Sequence, residues 1–189
     1  MAEGNRFAGA GGNRYSFIYA GDVNGDGYTN DLIYIPENSS EINFDPYTDD
    51  NGNEVSAAQQ WSAFDAFIEQ DDYLSSHRGE IAERFGAVNP WFTNIDLRIL
   101  QDFSMNLGGQ KHGFQWSLDI LNVANLLNSD WGVRNAANAA ATSPLELVRF
   151  NTDGAPVFNY KGTAPETYSE DPGEYSRWRI QTGFRYLFN

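Results

Sequence analysis

Trp178–Phe188, WRIQTGFRYLF, sets Trp178, Ile180, Thr182, Phe184, Tyr186 and Phe188 on one face of an extended chain and Arg179, Gln181, Gly183 and Arg185 on the other. A period of two marks a strand whose faces meet different surroundings. Working back along the chain, Gly113–Val123 (GFQWSLDILNV) sets Phe114, Trp116, Leu118 and Ile120 against Gln115, Ser117 and Asp119. Before it, Phe92–Phe103 (FTNIDLRILQDF) sets Ile95, Leu97 and Ile99 against Asn94, Asp96 and Arg98. Gly108-Gly109-Gln110-Lys111 lies between these two and predicts a tight turn, hence a hairpin. NRYSFIYA, 13–20, predicts a further, shorter strand.

A half-exposed sheet of a soluble domain alternates in the same way, so period alone does not choose a fold. The polar faces do. They carry full charges (Asp96, Arg98, Asp119, Arg179 and Arg185), and the apolar faces carry aromatic rings towards both ends. Lipid on one side, a hydrated lumen on the other and aromatic girdles at the interfaces ask for that arrangement. The three long segments also match the ~9–11 residues a tilted strand needs to cross a bilayer.

The expected fold is therefore all-β: an antiparallel transmembrane β-barrel segment of about four long strands (13–20, 92–103, 113–123 and 178–188) of a larger barrel. If the end of the chain is periplasmic, strand parity puts the turn 108–111 on the periplasmic side and makes 21–91 and 124–177 long extracellular loops. Four strands cannot close a barrel, so the remaining wall must come from elsewhere. Ile95, Leu97, Ile99, Phe114, Trp116, Leu118, Ile120, Ile180 and Phe184 should form one continuous outward band in a barrel wall and a buried core in a soluble sheet.

Within the first loop, Ser56 can cap a helix in which Ala57, Trp61, Phe64 and Ile68 share a face and Gln60, Asp65 and Glu69 point away. That predicts an amphipathic helix of roughly four turns. Its apolar stripe serves packing within the loop or a partner-binding face. The second loop is rich in Asn, Ala, Pro and Gly, with a minor hairpin predicted from 145–151 and 156–160.

Composition narrows the function. The 189 residues carry a formal net charge of −14, which argues against a nucleic-acid partner, since phosphate binding needs clustered Lys and Arg. Aromatic content of 15% beside a mean hydropathy of −0.53 describes a wet chain rich in large amphipathic rings, suited to lipid or sugar interfaces. There is no Cys, which removes disulfides, thiolate zinc sites and Cys nucleophiles. No stretch approaches the ~20 apolar residues of a membrane helix, and MAEGNRFAGAGGNRY lacks the pattern of a secretory signal, from which we expect a fragment of a longer precursor.

Gln181-Thr182-Gly183-Phe184-Arg185-Tyr186-Leu187-Phe188 resembles the outer-membrane β-signal, polar–x–Gly–x–x–aromatic–x–aromatic, with Gln181, Gly183, Tyr186 and Phe188 at the matching places and Asn189 following as a departure. The resemblance implies recognition by the barrel-assembly machinery. GDVNGDGYTNDLIYIP (21–36), FDAFIEQDDYLSSHRGEIAERFGAVNPW (64–91), DLRILQDF (96–103) and LDILNVANLLNSDWG (118–132) resemble TonB-dependent receptors of Bacteroidota, particularly the Oar-like group. That implies a barrel of about 22 strands with an N-terminal plug, driven through TonB and located in the cell outer membrane. Neither plug nor TonB box is present in this stretch. The implied function is uptake of a substrate too large for porins, with a SusD-like lipoprotein lid as a further implied partner.

One motif carries ligand chemistry. Asp22-x-Asn24-x-Asp26-Gly27-x-x-Asn30-Asp31 places oxygen side chains at alternate positions around a Gly turn, able to wrap Ca²⁺ with the Tyr28 carbonyl as a further ligand. Ile33 stands where an EF-hand loop needs its last carboxylate, so Asn30 or Asp31 would have to close the shell. The plain alternative is an Asx-rich turn without metal. Enzyme chemistry is not expected. His77 and His112 form no HExxH motif, no GxSxG occurs, and Gly9-Ala10-Gly11-Gly12 matches no phosphate loop. Glu69, Asp71, Asp72, Glu80 and Glu83 are what an acidic loop supplies by composition. Tyr47, Tyr73, Trp91, Trp131, Tyr160, Tyr168 and Tyr175 offer rings for a sugar or peptide, for lining the outer girdle or for bracing the loops. An alternative function from another class is a secreted or surface β module binding glycan or protein through calcium, without transport.

Overall fold

Short strands and one long hairpin dominate the chain, with 38% of residues in strands against 17% in helices, so the mostly β character follows the sequence. The structure is a computed structural model, and it describes residues 14–188. Asn13 of the predicted first strand, Gly9–Gly12 and Asn189 lie outside the described residues. In chain order come β1 (Arg14–Tyr15), β2 (Tyr34–Ile35), β3 (Asn43–Phe44), β4 (Tyr47–Thr48) and β5 (Glu54–Val55). Helices α1 (Ala57–Glu69) and α2 (Asp72–Ser76) follow, then β6 (Glu80–Ile81) and β7 (Ala87–Val88). The long strands β8 (Leu97–Leu107) and β9 (Gln110–Leu121) lead to α3 (Val123–Leu127). Next are β10 (Asn135–Ala137), β11 (Leu145–Phe150), β12 (Pro156–Tyr160), β13 (Tyr168–Glu170) and β14 (Arg179–Phe188). The chain divides into two units, 14–89 with 136–169, and 90–135 with 170–188.

The first unit owns the hydrophobic core. Phe17, Ile33, Ile35, Phe64, Phe67, Ile68, Leu74, Leu145, Phe158 and Tyr160 are buried together, Tyr19 stacks on Phe158 and Phe64 packs on Tyr160. Helix α1 forms where expected, and a capping box closes its start: Gln59 N–H donates to Ser56 Oγ and the Ser56 backbone N–H donates to the Gln59 side chain. Its buried face is Gln60, Phe64, Phe67 and Ile68, which corrects the placing of Gln60 on the outer side. The Gln60 amide donates to the Asp45 carbonyl at 2.7 Å and accepts from Tyr160 N–H at 3.0 Å, bridging α1 to the β3 and β12 strands. Arg78 pairs with Asp65 and Glu69 and donates to the Pro36 carbonyl, holding the turn after α2 against α1.

The segments expected as separate loops are largely folded onto one another. The predicted hairpin of 145–151 and 156–160 forms as β11–β12, and β12 also pairs in parallel with β3, Val157 opposite Asn43 and Phe158 opposite Phe44. The strand predicted at 13–20 is corrected: only Arg14–Tyr15 form a strand, against β7, with single bridges at Ile18 and Ala20. Phe17, Ile18 and Tyr19 are all buried in sequence, so this stretch has no outward face. Residues 124–135 and 170–177 of the expected second loop belong to the second unit instead.

That second unit is built on one antiparallel sheet of order β14-β9-β8. β8 begins at Leu97, later than the predicted Phe92, because the Asp96 carboxylate accepts the Asn122 N–H and the Ile95 carbonyl accepts Val123 N–H. The β8–β9 turn is Gly108-Gly109, with φ of +60° and +84°, the two left-handed residues that a twisted two-residue hairpin demands. β14 pairs with β9 along its whole length, from Arg179 opposite Leu121 to Phe188 opposite His112, so the hairpin turn and the end of β14 share one end of the sheet. The described residues thus contain three long strands rather than four, and no closed barrel; the outer edges of β8 and β14 have no strand partner among them.

Candidate functional site

Antiparallel partners share a face, so the register sorts the sheet completely. One face carries Leu97, Ile99, Gln101, Phe103, Met105 and Leu107 of β8; Ile120, Leu118, Trp116, Phe114 and His112 of β9; and Ile180, Thr182, Phe184 and Tyr186 of β14. Leu97, Ile99, Leu118, Ile120 and Ile180 make an aliphatic patch, and Phe103, Phe114, Trp116, Phe184 and Tyr186 an aromatic band towards the hairpin turn. Tyr186 tilts onto Phe114 and stacks with His112, whose Nδ1 meets its hydroxyl. The Trp116 indole N–H donates to Thr182 Oγ1 at 2.9 Å.

The opposite face holds Arg98 against Asp119 at 3.0 Å, Gln115 donating to Asp102 at 2.9 Å, and Ser117, Lys111, Gln181 and Arg185. Leu100, Leu121 and Leu187 are the apolar exceptions. Gly183 faces Ser117 so closely that a Cβ there would stand 2.7 Å from Ser117 Oγ, a reason of packing for Gly at that place in the strand. Gln181, Gly183, Tyr186 and Phe188 all lie in β14, Gln181 and Gly183 on the polar face and Tyr186 on the apolar one.

Among the described residues, no other segment of this unit covers the apolar face. Leu97, Ile99, Phe103, Met105, Leu107, Phe114, Ile180 and Tyr186 are all exposed, Phe184 is 83% exposed, and no large apolar side chain of this unit is among the buried ones. The nine residues picked out from the sequence do collect on one side, except Ile95, which precedes the ladder. At ~3.4 Å per residue and a tilt near 45°, strands of 10 to 12 residues give a band about 25 Å high, the height of a bilayer's apolar zone.

No protein-family model, no curated protein and no solved structure matches the chain.

Charge is divided sharply between the units. Residues 14–89 and 136–169 hold 18 Asp and Glu against 5 Lys and Arg, whereas 90–135 and 170–189 hold 7 against 6. The predicted cation loop lies in the acidic unit, and it is closed on itself. Asp22 accepts from Gly25, Asp26 and Gly27 N–H, and Asp31 from Val23 and Asn24 N–H and the Asn24 amide. Asp26 accepts from Tyr28 N–H and Asn24 Nδ2. The structure brings Asp22, Asn24, Asp26 and Asp31 together as an Asx-turn network, with Tyr28 exposed and Asn30 half-buried beside it. Ca²⁺ asks for six to eight free oxygens. Most lone pairs of Asp22 and Asp31 already accept N–H donors, and the described residues hold no group of three or more His, Asp or Glu disposed to take a metal.

Sequence reasoning missed Asn122. It is 2% exposed, sits in the left-handed region at φ +53°, and its amide donates to the Gly132 and Tyr175 carbonyls, tying together the end of the sheet opposite the hairpin turn. An Asn directly after an alternating strand is the available signal, because Asn tolerates that conformation.

Proposed function

We propose that this chain supplies wall strands and an extracellular folded unit to a TonB-dependent transporter of the Gram-negative outer membrane, taking up a substrate too large for porins. The observation that carries the reading is the uncovered apolar face of β8, β9 and β14, set back to back with a face of paired charges. A sheet in water hides such a face under a second layer; a barrel wall turns it to lipid and its charges to a wet lumen. The free edges of β8 and β14 call for further strands, since unpaired backbone in lipid costs several kcal/mol per group. Those strands, the plug and the TonB contact belong to the rest of such a protein.

In this reading the hairpin turn and the end of β14 are periplasmic, β14 is the strand offered to the barrel-assembly machinery, and the acidic unit of 14–89 and 136–169 stands outside, where it gates or binds substrate beneath any lipoprotein lid. Fractionation tests it. The whole protein should remain in the outer-membrane pellet through carbonate and urea washes and should shift its gel mobility on heating. Recovery as a detergent-independent soluble monomer would end the proposal.

A further inference from the structure

The chain contains two Asn-Gly pairs, Asn24-Gly25 and Asn51-Gly52, and both lie on the surface of the acidic unit. Lacking a Cβ, glycine leaves its backbone nitrogen free to approach the side-chain amide carbon of the residue before it. Hydrogen bonding separates the two pairs. Asn24 is held at both ends of its amide: Oδ1 accepts from Asp26 N–H at 2.8 Å and Nδ2 donates to Asp31 at 2.6 Å. The nucleophile beside it is held too, Gly25 N–H donating to Asp22 Oδ1 at 2.7 Å. Asn51 lies at the tip of the β4–β5 hairpin, where its exposed side-chain amide makes no hydrogen bond among the described residues. Gly52 is at φ +85° with open space around it, and its N–H donates to the Asp49 carbonyl. Tyr47 with Val55 and Thr48 with Glu54 are the whole ladder behind that turn, so local opening costs little.

We infer that Asn51 is a site of spontaneous deamidation and isoaspartate formation, and that the turn around Asn24 shelters it from the same reaction. The Gly52 nitrogen bonds to Asn51 Cγ, and the side-chain nitrogen leaves as ammonia, taking the Gly52 N–H proton. Water then adds to either carbonyl of the succinimide ring and breaks one C–N bond, giving isoaspartate or aspartate. Either product sets a new carboxylate beside Asp49 and Asp50. Isoaspartate also lengthens the main chain by a methylene. Asp49 latches the turn by accepting the Asn51 and Asn53 N–H groups and the Asn53 amide, and the longer chain cannot keep all three in reach. The same hairpin walls a groove of about 440 Å³ with Ser56 and Gln59 at the start of α1, so the reaction remodels that edge of the unit.

Peptide mapping by mass spectrometry tests this on the whole folded protein in membranes, kept for weeks at neutral pH in heavy-oxygen water and digested in ordinary water. Carboxylates formed during the incubation carry the label, and those formed during digestion do not. Asn51 should convert at least about tenfold faster than Asn24, with isoaspartate the larger product, because only the Asn51 turn opens readily. In urea, where neither turn survives, the two rates should converge. An Asn51 that stays intact, or an Asn24 that keeps pace with it in the folded protein, would overturn the inference. So would a gap of the same size in urea, which would trace the selectivity to sequence alone. Asp22→Ala releases the Gly25 N–H and should quicken Asn24 severalfold; an unchanged rate would overturn the sheltering.

Discussion

Replacing Gln60 by Leu probes the polar bridge inside the acidic unit. The side chain is 1% exposed, and its amide is the partner of both the Asp45 carbonyl and the Tyr160 N–H. Leu keeps much of the volume and removes both bonds. Two intramolecular hydrogen bonds contribute about 1 kcal/mol each, and a buried N–H left without an acceptor adds roughly 1–3 kcal/mol. The gain from burying a more apolar side chain offsets part of this, leaving a net loss of about 2–4 kcal/mol. Urea unfolding of the full chain, followed by Trp61 emission from the next position on α1, measures it, and hydrogen exchange at the Tyr160 amide should quicken. Gln59→Leu, on the exposed side, should cost only the roughly 0.5–1 kcal/mol of half a capping box. A Gln60→Leu loss no larger than that of Gln59→Leu would mean that the buried amide bridge does not hold α1 to the strands.

Gly132→Ala should lose about 2 kcal/mol or more, because the residue has φ +63° and its Cβ would stand 2.0 Å from Asn122 Oδ1; Gly154→Ala, at φ +80° with open space around it, should lose only the roughly 1–2 kcal/mol of backbone strain, as thermal melts will compare. Burial pushes the Tyr160 and Tyr168 hydroxyls up to about 12, so the folded acidic unit holds protons that the unfolded chain releases near pH 10; the stability they contribute is complete below about pH 10 and is lost as the pH rises towards 12. Alkaline titration followed at the phenolate band should therefore show tyrosines that ionise well above pH 10 while the chain is folded, and Tyr160→Phe should flatten the pH dependence of stability. Asp22→Ala removes the acceptor of three backbone N–H groups and should destabilise by about 1–3 kcal/mol, measured by urea titration; an equal loss in chelator and in millimolar calcium marks a turn, and a loss confined to the calcium sample marks a cation site.

The sheet was legible because each of its strands separates two unlike surroundings, and period two survives in Leu97–Leu107, Gln110–Leu121 and Arg179–Phe188 whatever lies beyond. Its start was misplaced because Asn94 and Asp96 continue the alternation in sequence, while Asp96 spends its carboxylate on the Asn122 N–H and stands just outside the ladder. The acidic unit was less legible. Many of its strands are two residues long, too short for any period, and they find partners by distant pairing such as Asn43 with Val157. Phe17, Ile18 and Tyr19 are buried on every side, so an apolar run there has the composition of a strand and no alternation to expose it. Gln60 looked solvent-facing because a helical wheel cannot see an acceptor 15 residues before it or a donor 100 residues after it. Asp22, Asn24, Asp26 and Asp31 are the residue types that serve a turn and a cation alike, so the sequence leaves both readings open.

The central claim, that one face of β8, β9 and β14 meets lipid and the other water, is tested most directly along β9. In a chain without other Cys, single Cys replacements from Phe114 to Ile120 in the whole protein in native membranes are treated with a charged, membrane-impermeant thiol reagent after the lumen is made accessible. Strict alternation is expected: Gln115, Ser117 and Asp119 positions labelled, Phe114, Trp116, Leu118 and Ile120 positions protected until detergent is added. Equal labelling of neighbouring positions would contradict it.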